Sequence, residues 1–277
     1  MLILSGKEPS AALKANIRQS LSETGITPSL VIMKVGHDPA SDVYVRNKVK
    51  ACDEVGIHCE VREFDEHIQN LALINEIERV NKDQSVHGIM VQLPLPAHLN
   101  DLDVLSAIDP KKDVDGLHPL NAGHVFKSDG CGYIPCTPLG ILTLLCHYQI
   151  NVAGKHVVIV GRSDIVGKPL AALMLAHDAT VTVCHSKTKN LAKICRQADI
   201  LVTAIGKPKF FTKEYVGRNA VVVDVGINRD ENGKLCGDVD LDSIQDIAVA
   251  ATPVPGGVGL MTVASLMYNC VRAVGEV

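Results

Sequence analysis

The stretch Val157-Val158-Ile159-Val160-Gly161-Arg162-Ser163-Asp164-Ile165-Val166-Gly167-Lys168-Pro169-Leu170 decides the fold. Four β-branched apolar residues, Val157 to Val160, lead into Gly161, a short polar turn, Val166-Gly167 and an apolar run from Leu170. That order predicts a buried strand, a glycine turn and a helix start. Unpaired helix N–H groups and the positive end of the helix dipole point into such a turn, which suits a phosphate. The spacing departs from a strict G-x-G-x-x-G, because Ser163 stands at the second glycine position. An ordinary strand-to-helix turn, in which glycine only permits close packing, accounts for these residues equally well on their own.

Outward from this stretch, strand-like and helix-like segments alternate in both directions. Before it come a helical pattern over 8–21, a β-rich run 30–35, a helix 39–55, a strand 57–64, a helix 68–80 and a buried strand 86–91. Asp38-Pro39 supplies the N-cap and first-turn proline of the helix 39–55, and Gly56 its stop. Residues 113–123 look like a loop, and Pro135 and Pro138 flank a helix 139–148. After the strand 157–161 the expected elements are a helix 166–177, a strand 180–184, a helix 190–197 and strands 199–204, 220–224 and 247–250. The rigid loop Pro253-Val254-Pro255-Gly256-Gly257-Val258-Gly259 then feeds a helix from about Thr262. No internal repeat interrupts the series.

Such alternation predicts an α/β chain with parallel sheets covered by helices on both faces. Two series divide near residues 123–138 and predict two α/β domains with a cleft between them. The first is residues 1–122 completed by a C-terminal helix 260–277; the second, 137–255, is a Rossmann-like dinucleotide-binding domain. Ligands of open α/β sheets lie beyond the carboxyl ends of the strands. That rule selects the residues after Val35, Val91, Val160, Val183, Ala204 and Val223.

Composition narrows the function classes. The 277 residues are 47% hydrophobic and 21% charged, enough apolar material for a large core. Aromatics are 3% with no Trp, which argues against single-stranded nucleic-acid binding by base stacking. The formal charge is −4 and no long basic run occurs, so no nucleic-acid partner is expected. Nine scattered cysteines without a C-x-x-C pair predict reduced thiols, a cytoplasmic setting and no metal site. The opening M-L-I-L-S-G-K is too short for a signal peptide, and no apolar run reaches membrane-spanning length, so no membrane partner is expected.

An NAD site usually carries an acidic residue at the end of the second strand, to hold the ribose 2′-hydroxyl. Here T-V-T-V-C ends in His185-Ser186-Lys187-Thr188, with no acid. Arg162 follows the first glycine, where a guanidinium pairs with a 2′-phosphate. The pattern favours NADP over NAD, against the alternative that Arg162 and Lys187 are solvated loop charges. Thr203-Ala204-Ile205-Gly206 and Asp224-Val225-Gly226-Ile227-Asn228 end two further strands with small residues, which let a flat ring approach the backbone, or are simply turns.

In the first half, Tyr44 and Lys48 lie four apart on the helix 39–55 and share a face beside the apolar stripe of Val45, Val49 and Cys52. Lys48 in isolation reads as a solvated charge. Gln92 ends a strand before two prolines, and Asp113-Val114-Asp115-Gly116 puts two carboxylates in a turn. A strand-end polar residue and an Asx turn are the ordinary readings of each.

Taken together, V-G-H-D-P-A-S-x-x-Y-V-x-x-K (35–48), G-I-M-V-Q-L-P-L-P (88–96), K-D-V-D-G (112–116), G-R-S-x-x-V-G-x-P (161–169) and P-G-G-V-G (255–259) resemble the methylenetetrahydrofolate dehydrogenase/methenyltetrahydrofolate cyclohydrolase family, in its bacterial bifunctional form. H-P-L-N-A-G (118–123) and P-C-T-P-L-G (135–140) extend the match, which is collinear over nearly the whole chain. The resemblance implies oxidation of 5,10-methylenetetrahydrofolate by NADP, then hydrolysis of the methenyl cation to 10-formyltetrahydrofolate. It implies Lys48 as the proton-transfer group, Tyr44 stacking on the folate, Gln92 tuning the lysine and Asp115 bonding the pterin. Gly161, Arg162, Ser163, Ser186 and Ile227 are implied as the cofactor side, with Arg162, Ser163 and Ser186 toward the 2′-phosphate and Ile227 by the nicotinamide. Pro255, Gly256 and Gly257, with Val258, Gly259 and Thr262, are implied as wall between the two ligands.

The family usually reads P-G-G-V-G-P-M-T; Leu260 stands at the second proline, which predicts a slightly looser loop. A homodimer in one-carbon metabolism, feeding purine and formyl-group synthesis, is the further implication. A two-domain NAD(P) dehydrogenase of an amino acid or a shikimate-like acid explains the second half but not Tyr44, Lys48 and Asp115 together. A cofactor-sensing protein without turnover is the third reading.

Overall fold

A computed structural model describes residues 1–275, with backbone only at Pro39 and Ala40. The elements in chain order are β1 (Leu2–Ile3), α1 (Lys7–Thr24), β2 (Ser29–Val35), α2 (Pro39–Val55), β3 (His58–Phe64), α3 (Asn70–Lys82) and β4 (Gly88–Val91). Next come α4 (Asp101–Ser106), α5 (Pro119–Lys127), α6 (Cys136–His147), β5 (His156–Val160), α7 (Gly167–Ala176) and β6 (Thr180–Cys184). Then follow α8 (Leu191–Cys195), β7 (Ile200–Thr203), β8 (Val221–Asp224), β9 (Asn228–Arg229) and β10 (Leu235–Cys236). The chain closes with α9 (Leu241–Ile244), β11 (Ala250–Ala251) and α10 (Val258–Arg272).

The residues divide into two compact α/β units. One comprises Met1–Ser10 with Thr137–Thr262, the other Ala11–Cys136 with the chain from Val263. The first holds a six-stranded sheet in the order β1-β11-β8-β7-β5-β6, parallel throughout. Its inner strands are near-continuous apolar runs because helices cover both faces: Val157, Val158, Ile159, Leu201, Val202, Val222 and Val223 are fully buried. Phe211 anchors one side of this core with Val216, Val239 and Ile244. At the edge strand β6 burial is incomplete.

The second unit holds a parallel sheet in the order β3-β2-β4. Central β2 is buried on both faces, from Leu30 to Met33. One face packs on Val45, Cys52 and Val55 of α2 together with Leu266, Met267 and Cys270 of α10. The other packs on Leu73, Ile77 and Val80 of α3. An isolated parallel bridge, Ile89 to Asp113, lays the Lys112–Gly116 turn beside β4.

Four expectations shift. Residues 1–10 group with the six-stranded unit rather than with 11–122, because Leu2 and Ile3 pair with Ala250 and Ala251 and complete that sheet's edge. The expected loop 113–123 ends early: α5 starts at Pro119, capped by His118, whose Nδ1 accepts the Leu120 N–H at 3.0 Å. The strand expected at 247–250 is Ala250–Ala251. The last helix begins at Val258 rather than Thr262, so the rigid loop is shorter; positions 276 and 277 of the expected helix lie outside the described residues.

Candidate active site

Lys48 is placed by the chemistry of α2. Asp38 caps the helix by accepting the Ser41 N–H at 2.8 Å, and Gly56 closes it at φ 89°. Three turns in, Lys48 is carried to the buried face, with 8% of its surface exposed. Its Nζ donates to Gln92 Oε1 at 2.9 Å and lies 3.3 Å from Met90 Sδ. Burial lowers its pKa from the ordinary lysine value; the Asp115 carboxylate and the neighbouring thiols of Cys136, Cys52 and Cys59 oppose that shift without cancelling it. The result is a lysine biased toward its neutral, basic form.

Gln92 is fixed at both ends. Its N–H donates to the Met33 carbonyl at 2.8 Å, and its Nε2 to the Leu93 carbonyl at 2.6 Å. The amide nitrogen is thereby committed, so the oxygen faces Lys48. Asp115 is half-buried on the turn beside β4. Tyr44 lies one helical turn before Lys48, half-buried, and burial raises the pKa of its phenol.

Asp113, Asn121 and Asn269 hold this turn, and of these only Asn269 was not among the residues picked out from the sequence. Asp113 is 1% exposed and accepts from the His118 N–H at 2.7 Å and Asn121 Nδ2 at 2.8 Å. Burial pushes its carboxyl up to about 7. Asn269 of α10 donates to the Val114 and Ile134 carbonyls at 2.9 and 3.1 Å, clamping the turn to the last helix. Asn269 had a sequence signal: an amide inside the apolar run L-M-Y-N-C-V.

The expected cofactor residues lie in the other unit. Gly161 follows β5 at φ 139°, and a Cβ there would stand 2.4 Å from the Ala204 carbonyl oxygen. A Cβ on Gly167 would stand 2.2 Å from the Gly161 carbonyl oxygen, so no larger residue fits the turn. Ser163 Oγ accepts the Val166 N–H at 3.2 Å just before α7. Arg162 is exposed and forms no ion pair among the described residues. Ser186, also exposed, follows β6 on a turn closed by His185 N–H donating to Thr188 Oγ1 at 2.9 Å, with no carboxylate at the strand end. A 2′-phosphate fits this donor set better than a 2′-hydroxyl that needs an acceptor.

Ile227 follows β8 and is 46% exposed. Pro255, Gly256 and Gly257 precede α10, and the Gly256 carbonyl accepts the Gly6 N–H at 2.8 Å. Thr262 and Thr137 hydroxyls lie 3.1 Å apart. At Leu260 the backbone N–H donates to the Gly257 carbonyl at 3.2 Å, a bond that proline cannot make and that offsets the lost ring restraint. As for metals, His124 of α5 and Asp129 and Cys131 just after it bring donor atoms within 4.8 Å of one another on a largely exposed surface, where His124 Nδ1 and Asp129 Oδ2 already pair at 2.8 Å.

Comparison with known proteins accounts for both halves. The family model described as tetrahydrofolate dehydrogenase/cyclohydrolase, catalytic domain, matches residues 4–115; that of the NAD(P)-binding domain matches 135–276. The bifunctional protein FolD of Anoxybacillus flavithermus is 52% identical over 270 residues, covering 98% of this chain and 95% of that protein. The crystal structure of the bifunctional methylenetetrahydrofolate dehydrogenase/cyclohydrolase FolD from Campylobacter jejuni superposes with a TM-score of 0.95 at 45% identity, covering 99% of this chain and 98% of that one. A Trypanosoma brucei methylenetetrahydrofolate dehydrogenase-cyclohydrolase, solved with NADP cofactor and inhibitor, gives 0.93 at 35% identity, with 99% and 97% covered. With both domain models matched in order and half the residues identical to such a relative, the chain belongs to the tetrahydrofolate dehydrogenase/cyclohydrolase family.

Proposed function

We propose that this chain oxidises 5,10-methylenetetrahydrofolate with NADP and hydrolyses the 5,10-methenyl product to 10-formyltetrahydrofolate. The observation that carries the reading is Lys48, buried, depressed in pKa and hydrogen-bonded to an oriented Gln92.

NADP, when bound, supplies the hydride acceptor. Hydride transfer asks the protein for positioning rather than for an acid or base. The hydrolytic half does need a base. Water adds to the electrophilic methenyl carbon as the C=N π pair moves onto nitrogen, neutral Lys48 takes the proton released, and that proton is returned to N5 as its bond to the carbon breaks. Gln92 Oε1 holds the Nζ in place throughout. Asp115, an acceptor-only carboxylate, suits the amino and ring N–H donors of a pterin, and Tyr44 offers a ring face for stacking. The absence of an acid after Cys184 and the unpaired charge of Arg162 support NADP over NAD. The nine free cysteines support a reducing, cytoplasmic setting. A homodimer is part of the reading, and sedimentation velocity at micromolar concentration checks it.

The deciding experiment mixes protein, methylenetetrahydrofolate and NADP and follows reduced nicotinamide and methenyltetrahydrofolate separately. Reduction of NADP without accumulation of the methenyl compound is expected. No reduction at all rules the reading out. Arg162→Ala is expected to raise the KM for NADP about tenfold or more with little change for NAD. Equal changes for both cofactors would remove Arg162 from the site.

A further inference from the structure

The carboxylate of Asp238 has no exposed surface, yet it carries four hydrogen bonds, three of them from one short loop. Its Oδ2 accepts from the N–H groups of Ile205 at 2.7 Å and Gly206 at 3.2 Å. Its Oδ1 accepts from the Lys207 N–H at 2.8 Å and from Asn228 Nδ2 at 2.9 Å. A second buried carboxylate, Asp224, fixes the segment that bears it by accepting the N–H groups of Asp238 and Val239 at 3.0 and 2.9 Å. Gly226 makes room: a Cβ there would sit 2.2 Å from Asp238 Oδ1.

The loop so held, Ala204 to Lys207, follows β7. Strand β7 neighbours β5, and β6 lies on the other side of β5, so the sheet order reverses between β5 and β7. Ligands of open parallel sheets bind at the carboxyl ends of strands at such a reversal. In a trans peptide the N–H and the carbonyl it shares a plane with point opposite ways. Three N–H groups turned in toward Asp238 therefore turn the carbonyls of Ala204, Ile205 and Gly206 away from it. The Ala204 carbonyl does face the Gly161 turn. None of the three accepts a hydrogen bond from the described residues.

We infer that Asp238 is a positioning residue for the dinucleotide: by gathering the N–H groups of residues 205–207 it presents the carbonyls of Ala204, Ile205 and Gly206 as acceptors to hydroxyl and amide donors of the cofactor. The inference rests on the NADP reading above and adds a residue that binds no ligand itself. Asn228, which shares Oδ1 and adjoins Ile227, couples the loop after β8 to the same anchor.

The test titrates NADPH fluorescence against wild type, Asp238→Asn and Asn228→Ala, with hydrolysis of supplied methenyltetrahydrofolate, which consumes no nicotinamide, measured alongside. An asparagine offers one acceptor where the loop needs two and turns an NH2 toward two N–H donors. NADPH affinity in Asp238→Asn is expected to fall about tenfold to a hundredfold, with hydrolysis retained within about threefold. Asn228→Ala, which removes one donor, is expected to weaken NADPH in the same direction by a smaller factor. Unchanged NADPH affinity in a folded Asp238→Asn overturns the inference. If that variant does not fold, unchanged affinity in Asn228→Ala overturns it instead. A wild type that hydrolyses the methenyl compound but binds no NADPH would sink the NADP reading and this role with it; binding by wild type with unaltered variants sinks the role alone.

Discussion

At the scale of single residues, Lys48 sets two opposing expectations. Lys48→Met removes the base, and hydrolysis of methenyltetrahydrofolate should fall about a hundredfold or more. Wild-type hydrolysis should rise with pH through a midpoint below the ordinary lysine value of 10.5 and then level off, because the neutral amine is the working form. Stability should move the other way. The folded pKa of Lys48 is depressed, so below its unfolded value the folded state resists a proton that the unfolded state takes up. Lys48→Met relieves that cost, and its melting temperature at neutral pH should exceed that of wild type. The gap should narrow as pH climbs toward the unfolded lysine value. A Met variant that is less stable at every pH contradicts the assignment of the shift to burial. Asp113 gives the mirror case. Its carboxyl titrates at about 7 in the fold and near 3.9 unfolded, so its protonated form is the favoured one. Relative to Asp113→Asn, wild type should lose stability as pH rises from about 4 to about 7 and no further. Equilibrium urea unfolding of both proteins across that range checks the window. Tyr44 and Lys48 could be put on one face from their spacing alone, but the bond from Lys48 to Gln92 joins residues 44 apart. It depends on strand pairing and on how α2 lies on the sheet, which no local pattern encodes.

Elements differ in how much of themselves they write into the chain. The helix 39–55 was legible to the residue because its ends are local chemistry: Asp38 reaches its own first turn, and Gly56 adopts the αL conformation that stops it. Asp38→Ala should therefore cost about 1 kcal/mol and lower the melting temperature by about 2–4 °C, measured by circular dichroism. No measurable loss in that variant would remove Asp38 from its capping role. Helix α5 went unread because its cap is a histidine and a glycine sits mid-helix at 123, both ordinary marks of a loop. Strand β1 is two residues long and carries no periodicity; only its pairing with Ala250 and Ala251 defines it. The G-D-V-D run at 237–240 looks like a turn until Asp238 is seen buried among the N–H groups of another loop. Parallel strands were the most legible, since burial on both faces demands unbroken apolar runs such as Val157 to Val160.

For the molecule as a whole, burial divides the nine thiols. Cys131 and Cys146 are exposed, Cys59 is intermediate and the other six are buried. Native protein treated with Ellman's reagent should show two fast thiols, one slower and six that react only after guanidinium is added. More than three reactive thiols in native protein would contradict the packing described. The cysteines cannot be ranked from sequence, because burial is a property of the assembled cores. Those cores also impose a timetable. Leu2 and Ile3 wait for Ala250 and Ala251, made about 250 residues later, and Leu30 and Ile32 wait for Leu266 and Met267. At a translation rate of about 5–20 residues per second, the first strand leaves the ribosome roughly ten to fifty seconds before its partner exists. Through that interval the apolar face of β2 stands without the α10 residues that cover it, a surface open to whatever the nascent chain meets.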